Sequence, residues 1–296
     1  VKLIRGAKGT LVRLQIIKAG SDLNAKPIEI SLIREKVKLE DQAAKGSVLD
    51  IINDEKPFRI GVIDIPNFYV DFEGQRNGDG SYKSTTKDVR KILDSLKTEN
   101  VDGIIIDLRE DGGGSLQEAI ELTGLFIKDG PVVQVKNSDG NIDVAKDPDP
   151  SIVYDGPLAV LVNRFSASAS EIFSGAIQDY GRGLVIGEQT FGKGTVQNLI
   201  DLNRLSSQKN LNLGQVKLTI AKYYRVNGGS TQNLGVIPDI SFPTMIDPHD
   251  FGESAEPTAL PWDEIKSADF NKFSDLTKYL SELNNKHLQR ISTNKD

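Results

Sequence analysis

The middle of the chain alternates short apolar runs with segments whose apolar residues recur at helical spacing. Residues 59–66, 103–109 and 157–163 are predicted strands, and the continuous apolar run at 103–109 is typical of a strand buried on both faces. The segments between the first and last of these strands, at 84–100 and 115–130, are predicted amphipathic helices. Strands that alternate with helices in this way predict an α/β core with parallel strands.

The same patterns place further elements around this core. They are strands at 131–136 and 183–188, a helix at 168–180, a hairpin of 195–202 with 215–227, an N-terminal hairpin of 10–18 with 27–34, and a helix near 273–290. After Pro243 the composition becomes polar and acidic. We therefore expect a central α/β domain with shorter segments at both ends.

The scarcity of cysteine and histidine limits the kinds of catalytic and metal-binding site that this chain can form. It has no cysteine, which excludes disulfides, thiolate metal sites and a cysteine nucleophile. Its two histidines, His249 and His287, have no second ligand at metal-binding spacing and are expected at the surface. An acid–base enzyme built on this core would therefore need another base. The net charge of -6 argues against nucleic acid as the main ligand.

Three loops carry the residues of greatest chemical interest, and the first is the glycine-rich loop 111–115. It lies between a predicted strand and a predicted helix. Three glycines let the backbone approach another group closely, and a helix N-terminus offers unpaired N–H groups. The loop is therefore suited to an anion or an oxyanion. Glycines alone, however, more often mark a plain tight turn.

The second loop, residues 163–171, joins a predicted strand to a helix and contains alternating serines. Ser168 and Glu171 fit a capping box, which would explain one serine structurally. A serine among small residues at the carboxyl end of a central strand is equally suited to be a nucleophile, because the next backbone N–H would face the oxyanion. The spacing does not separate these two hypotheses.

The third loop holds Lys193 between two glycines. Residues 187–193 match the first seven positions of a phosphate-binding P-loop, but Gly194 stands where a Ser or Thr should bind magnesium, and a strand-like pattern follows instead of a helix. Both mismatches argue against nucleotide binding. The lysine is then either an ordinary exposed side chain or one that the backbone packs closely, whose lowered pKa would make it a base.

Two long segments resemble one family of enzymes. Residues 156–197, which include SASASE and FGKGTVQ, and residues 103–115 (GIIIDLREDGGGS) closely resemble the hallmark segments of the carboxyl-terminal processing peptidases, specifically their bacterial tail-specific protease branch. The resemblance covers about residues 1–245, and the region from 246 onward is similar to the extra C-terminal region of that branch. It implies a serine/lysine peptidase with a crotonase-like α/β core and with no cofactor or metal.

Matching positions within these segments implies a role for individual residues. Ser168 corresponds to the nucleophile, Lys193 to the general base, and Gln197 to the residue that positions the lysine amine. Asp179 corresponds to an acidic position of importance in the tail-specific branch, with an architectural role. The oxyanion hole is expected from backbone N–H groups, namely that of Ala169 with that of either Gly113 or Gly114. Because a free lysine has a pKa of about 10.4, the site must bury Lys193 to keep it neutral.

The resemblance also implies a domain organisation. Residues 1–34 correspond to the C-terminal part of a PDZ domain, 35–58 to a linker or connecting arm, 59–243 to the peptidase core, and 244–296 to the start of a mostly helical C-terminal extension. The implied substrates are proteins with exposed apolar C-terminal tails, which a PDZ groove would capture as an added strand. The implied location is the periplasm, with peripheral association with the inner membrane and an envelope lipoprotein as adaptor.

Two rival classes of function remain open at this stage. A nucleotide-binding enzyme would bind ATP or GTP with magnesium. A scaffold or acyl-CoA-binding member of the crotonase fold would leave a general protease substrate intact. If the chain is instead a peptidase, we expect Ser168→Ala and Lys193→Ala each to abolish proteolysis without unfolding the chain.

Overall fold

A computed structural model describes residues 4–17, 22, 25–35, 42–52, 57–78, 80–205, 213–244, 246–247 and 250–294. The chain divides into two compact units, Val1–Gln42 and Ala43–Asp296. The first unit contains the predicted N-terminal hairpin, formed by β1 (Leu11–Ile16) and β2 (Ile28–Ile33). The two strands are antiparallel, with Leu11 opposite Ile33 and Ile16 opposite Ile28.

In the described part of the second unit, the strands form two sheets. Its strands are β3 (Lys45–Ile52), β4 (Pro57–Asp64), β5 (Gly103–Asp107), β6 (Pro131–Asn137), β7 (Ile142–Lys146), β8 (Leu158–Val162), β9 (Leu184–Gly187), β10 (Thr195–Asp201), β11 (Gln215–Tyr224) and β12 (Ile240–Ser241). The larger sheet has the order β12–β9–β8–β5–β4–β3 and is parallel except for β3 against β4. The smaller one is antiparallel, with the order β10–β11–β6–β7. The parallel α/β core is therefore confirmed, and so is the β10–β11 hairpin.

Two strands differ from the sequence expectation. The predicted strand at 131–136 exists as β6, but it pairs with β11 and β7 in the smaller sheet instead of joining the parallel core. The range 35–58, expected to be a linker, contains β3, which forms one edge of the larger sheet. Apolar patterning identifies a strand but not its partner, because pairing is decided by contacts between residues far apart in sequence.

Helices cover this unit. They are α1 (Phe72–Arg76), α2 (Thr85–Thr98), α3 (Leu116–Gly124), α4 (Ala169–Asp179) and α5 (Thr277–Thr293). Ser84 and Ser115 are the N-caps of α2 and α3, and their hydroxyl oxygens accept hydrogen bonds from backbone N–H groups of the first turn. α3 ends earlier than the pattern over 115–130 predicts, since the chain tightens into a turn in which Leu125 N–H donates to the Leu122 carbonyl. α3 packs between α2 and α4.

The core fills the space between the larger sheet and helices α2, α3 and α4. Its fully buried side chains include Ile63, Ile106, Val160 and Val185 from the strands and Val89, Leu93, Phe173 and Ile177 from the helices. Burying each of these side chains is worth about 1.5–3 kcal/mol. Among the described residues, no helix combines the length and the apolar character that crossing a membrane requires.

The C-terminal region differs from expectation at one histidine. His287, on α5, is only 5% exposed and stacks on Phe242 at 5.3 Å between ring centroids, so the prediction of a surface histidine is wrong here. Its ring also bonds the Ser241 carbonyl and Arg290. His249 lies outside the described residues. Between residues 250 and 276 the structure has one short 3-10 helix, Glu253–Ala255, and no α-helix.

The loops that the sequence singles out all follow parallel strands. Loop 108–115 follows β5, loop 163–168 follows β8, and loop 188–194 follows β9. These three strands are consecutive neighbours in the larger sheet. Their carboxyl ends therefore bring the three loops together at one edge, which is where α/β folds usually bind ligands.

Candidate active site

Ser168 stands at the turn between loop 163–168 and α4. Its φ of 58° lies in the left-handed region, which costs a residue with a side chain about 1–3 kcal/mol. The strain is offset locally, because the Ser168 N–H donates to the Glu171 carboxylate at 2.7 Å. The sharp turn leaves Ser168 half-buried, at the wall of a cavity.

The three alternating serines have separate surroundings. Ser166 is fully buried, and its hydroxyl donates to the Leu108 carbonyl at 2.8 Å. Ser170 is also fully buried, and its hydroxyl donates to the Asp111 carbonyl at 2.9 Å. Both therefore fasten the serine loop to the glycine-rich loop. Of the three, Ser168 alone lines the cavity.

The cavity has a volume of about 460 Å³. Its lining includes the polar residues Ser168, Lys193, Gln197 and Lys217, the backbone of Gly114 and Ala169, and the apolar side chains of Phe72, Leu116, Ile172 and Val196. It thus combines a hydroxyl, an amine and backbone N–H groups with an apolar surface. Such a combination is typical of a site that binds and transforms an organic substrate.

Lys193 is half-buried in the same cavity. Its Nζ donates to Gln197 Oε1 at 3.3 Å, and within the described residues no hydrogen bond joins it to Ser168 Oγ. Burial lowers the pKa of Lys193 first, and the positive charge of Lys217 lowers it further, while Glu253 and Glu171 act in the opposite direction. The lowered pKa favours a neutral amine, as the sequence requires of a general base.

The glycine-rich loop lies against the turn at Ser168. A Cβ atom on Gly113 would lie 2.9 Å from Ser168 Cβ and 3.0 Å from Ala169 N, and one on Gly114 would clash with the Phe68 carbonyl. Both glycines have positive φ angles, 98° and 151°. The loop can therefore approach so closely only because these positions lack side chains.

The N–H groups of the two candidate glycines differ. Gly113 N–H donates to Asp111 Oδ1 at 2.8 Å and is therefore occupied. Gly114 N–H and Ala169 N–H have no acceptor in the part of the chain that the structure describes, and both residues line the cavity. An anionic oxygen in the cavity would find these two donors unpaired.

Glu171 was interpreted from the sequence only as a helix cap, yet it joins two of the loops. Its carboxylate accepts hydrogen bonds from Ser168 N–H, Thr190 Oγ1, Gly192 N–H and Lys193 N–H, at 2.6–3.0 Å. The side chain is fully buried, and burial raises its pKa to about 7 despite these donors. Sequence spacing reveals the bond to Ser168 but not those to residues about 20 positions away.

These bonds also bear on the nucleotide-binding alternative. A P-loop offers its backbone N–H groups to phosphates, whereas the N–H groups of Gly192 and Lys193 are occupied by Glu171. The strand β10 follows at Thr195, where a P-loop would continue into a helix. No cluster of three or more residues able to hold a metal ion occurs among the described residues.

Asp179 lies away from the cavity. It ends α4, at about 16.5 Å along the helix axis from Ser168. Its carboxylate binds the Arg225 guanidinium at 2.5 and 3.1 Å and accepts from Asn227 Nδ2 at 2.8 Å. Burial raises the pKa of Asp179 despite the neighbouring guanidinium. These contacts join α4 to the residues that follow β11, and the architectural role of Asp179 stays a prediction.

Known proteins are similar to this chain in sequence and in fold. The chain is 45% identical over 295 residues to the tail-specific protease of Haemophilus influenzae, with 99% of this chain covered, and 32% identical over 241 residues to the carboxy-terminal processing protease CtpA of Bacillus subtilis, with 81% covered. It spans 40% and 44% of the length of these two relatives.

Solved structures show the same α/β arrangement. A photosystem II D1 C-terminal processing protease matches with a TM-score of 0.56 and 26% identity over 82% of this chain and 57% of that one. Mature CPAF matches in fold, with a TM-score of 0.52 and 16% identity over 86% of this chain and 55% of that one.

Two family models also match. Residues 246–296 match the C-terminal domain of tail specific protease (DUF3340), and residues 59–242, which include the whole cavity lining, match peptidase family S41. The matched ranges agree with the peptidase segments recognised in the sequence. This chain therefore belongs to peptidase family S41.

Proposed function

We propose that this chain is the catalytic core of a serine endopeptidase with a Ser–Lys dyad. The observation that carries the proposal is the composition of one cavity, whose lining contains Ser168 and Lys193 together with Gly114 and Ala169, two residues whose N–H groups have no acceptor among the described residues. A nucleophile, a base of lowered pKa and an oxyanion hole are the three parts that acyl transfer requires.

The mechanism follows from these groups. Neutral Lys193 accepts the proton of Ser168 as its Oγ attacks the peptide carbonyl carbon. The carbonyl oxygen becomes an anion that accepts hydrogen bonds from Gly114 N–H and Ala169 N–H. Protonated Lys193 then donates its proton to the leaving amine, and water hydrolyses the acyl-enzyme by the same steps. Gln197 holds the amine until substrate arrives, and the amine then turns towards Ser168.

The proposal extends to the choice of substrate. Proteins that expose apolar C-terminal tails are the proposed substrates, which accords with the names of the tail-specific and carboxy-terminal processing relatives. The hairpin of β1 and β2 is proposed as part of a PDZ domain that would bind such a tail as an added strand. The proposed setting is the periplasm, at the periphery of the inner membrane, with an envelope lipoprotein as adaptor.

The proposal also includes a crotonase-like fold for the core and a mostly helical C-terminal extension. A crotonase-like core is supported by the parallel sheet and by the loops gathered at its carboxyl edge. A mostly helical C-terminal extension is supported by α5 and by the family match of residues 246–296.

The test is cleavage of an unfolded protein such as casein by the Ser168→Ala variant. We expect a loss of at least about 1,000-fold in rate, because removal of a nucleophile eliminates the covalent route. Ser174→Ala is the matched control, since Ser174 is buried on the helix that Ser168 precedes and its hydroxyl donates to the Ser170 carbonyl. Cleavage by Ser168→Ala at the rate of the control variant would refute the proposal.

A further inference from the structure

Asp111 is a buried acid at the start of the glycine-rich loop. Its side chain is fully inaccessible to solvent. One carboxyl oxygen, Oδ1, accepts the hydrogen bond from Gly113 N–H at 2.8 Å. The other, Oδ2, is buried and has no hydrogen-bond partner in the described part of the chain. A native structure rarely leaves a buried polar atom unpaired, so its retention calls for a reason.

The backbone of Asp111 contacts the opposite wall of the oxyanion site. Its carbonyl accepts hydrogen bonds from Ala167 N–H at 3.0 Å and from Ser170 Oγ at 2.9 Å. These two residues flank Ser168 and Ala169 in the chain. One residue therefore holds the glycine-rich loop through its side chain and the serine loop through its main chain.

The chain is strained just before Asp111. Glu110 has a φ of 65°, which is costly for a residue with a side chain. Asn163, in the serine loop, holds it there, because its Oδ1 accepts from Glu110 N–H at 3.1 Å and its Nδ2 donates to Glu110 Oε1 at 2.7 Å. Directly after this turn, the Asp111 side chain is buried and accepts the hydrogen bond from Gly113 N–H. Strain of this kind concentrates at functional sites.

We propose that Asp111 is a positioning residue for the oxyanion hole. By accepting from Gly113 N–H, it turns that donor away from the cavity and fixes the following peptide so that Gly114 N–H faces the substrate. The proposal rests on the proposed function, since it concerns the geometry of the same site. It requires an acceptor oxygen at this position and not a negative charge. An asparagine should therefore support activity in place of Asp111, and an alanine should not.

The role does not depend on the charge of Asp111. Burial, with a smaller contribution from the negative charge of Asp64, raises the pKa of Asp111 to about 7 despite the hydrogen bond from Gly113 N–H. The protonated and the ionised carboxyl groups both offer an oxygen to Gly113 N–H.

The experiment compares Asp111→Ala and Asp111→Asn with the parent chain, using a peptide substrate and a peptide aldehyde that forms a tetrahedral adduct with Ser168. For Asp111→Ala we expect kcat to fall by about 10- to 100-fold with little change in KM, and aldehyde affinity to fall by a similar factor. Affinity for the cleaved product peptide should stay close to that of the parent, because that peptide forms no oxyanion. Asp111→Asn should restore most of kcat and of aldehyde affinity.

Asp239→Ala is the control. Like Asp111, Asp239 accepts a hydrogen bond from a backbone N–H, but it does not line the cavity. Asp239 accepts from Val185 N–H at 2.8 Å, and its removal should affect stability more than kcat. The proposal is overturned if Asp111→Ala, compared at equal folded fraction, loses no more kcat than Asp239→Ala, or if it weakens product and aldehyde binding equally.

If Asp111→Ala does not fold, Asp111→Asn provides the test of the positioning role. A folded Asp111→Asn protein whose kcat is more than about tenfold below the parent overturns the proposal, since the acceptor oxygen is retained. These results are separate from a failure of the proposed function, which active Ser168→Ala would reveal whatever the Asp111 variants do.

Discussion

At the scale of single residues, Glu171 links the proposed nucleophile to the proposed base. It accepts hydrogen bonds from the backbone N–H groups of Ser168 and Lys193, and it lies fully buried between their loops. Both groups donate to the same buried oxygen, Oε2, so a shift of either loop would remove one of its hydrogen bonds, at a cost of about 1–3 kcal/mol. The spacing between the two loops is therefore fixed before any substrate binds.

The raised pKa of Glu171 predicts how stability depends on pH. Its pKa is about 7 in the folded protein against an ordinary value of 4.5, so the folded state binds more protons between these limits. The contribution of Glu171 is therefore present below about pH 4.5 and is lost as the pH rises through 7. From pH 5 to pH 8, the parent should lose about 2–3 kcal/mol more unfolding free energy than Glu171→Gln.

Urea unfolding at both pH values measures this difference. Glu282→Gln, which changes an exposed glutamate on α5, serves as the control and should follow the parent. An equal loss of stability in the parent and in Glu171→Gln would show that Glu171 is already ionised at pH 5.

Lys217 is predicted to tune the base. Activity that needs a neutral Lys193 must rise with pH through its lowered pKa, and Lys217 contributes to that lowering. Lys217→Gln should therefore raise the pKa of Lys193, reduce kcat/KM at neutral pH, and approach the parent rate at high pH. Lys217→Arg, which keeps the charge, should leave the pH–rate profile in place. Identical profiles for Lys217→Gln and the parent would exclude this effect.

The sequence predicts some of these residues and not others. Ser168 and Lys193 are predicted because long segments around them resemble a known family, and the cavity contains both. Three of the four bonds of Glu171, and the burial of Asp111, are not predictable from spacing, because they depend on contacts with other loops. The positive φ of Ser168 likewise depends on tertiary contacts that local propensity does not encode.

At the scale of elements, α4 joins the cavity to a distant ion pair. Ser168 precedes its first residue, and Asp179 is its last. Asp179 binds Arg225 just beyond the end of β11, and both side chains are largely buried, at 5% and 15% exposure. The ion pair thus fixes α4 against the smaller sheet, which also supplies Lys193's partner Gln197 on β10.

Breaking this pair should destabilise the fold. Asp179→Ala leaves the Arg225 guanidinium buried without its counter-ion, and we expect a loss of about 3–5 kcal/mol in unfolding free energy. Activity should fall mainly because less of the protein is folded. In a double-mutant cycle with Arg225→Ala, the second substitution should cost much less than the first. Additive losses in thermal or urea unfolding would contradict an ion pair of this strength.

The elements themselves are predictable where their patterns are long. β5, β8 and β9 and the helices α2 and α4 lie where apolar spacing predicts them. β7 was not predicted, since it is short and largely exposed. The position of β6 in the smaller sheet follows from its pairing with β11, about 85 residues later, which no local pattern contains.

At the scale of the whole molecule, the chain spans 40% of the Haemophilus influenzae relative. If the hairpin of β1 and β2 takes part in tail recognition, a chain without Val1–Gln42 should discriminate between an apolar and a charged C-terminal tail on one unfolded protein less strongly than the whole chain does. The ratio of kcat/KM for the two tails, measured for both chains, checks this. Equal ratios would place tail recognition within the peptidase core itself.

The amine of Lys193 is the group on which the whole account depends. The most direct test is the rate at which Lys193→Ala cleaves casein, with its fold verified by circular dichroism and thermal unfolding. The account predicts a loss of at least about 1,000-fold, since Ser168 would have no base to accept its proton. A folded Lys193→Ala protein that cleaves casein within about tenfold of the parent rate would contradict it.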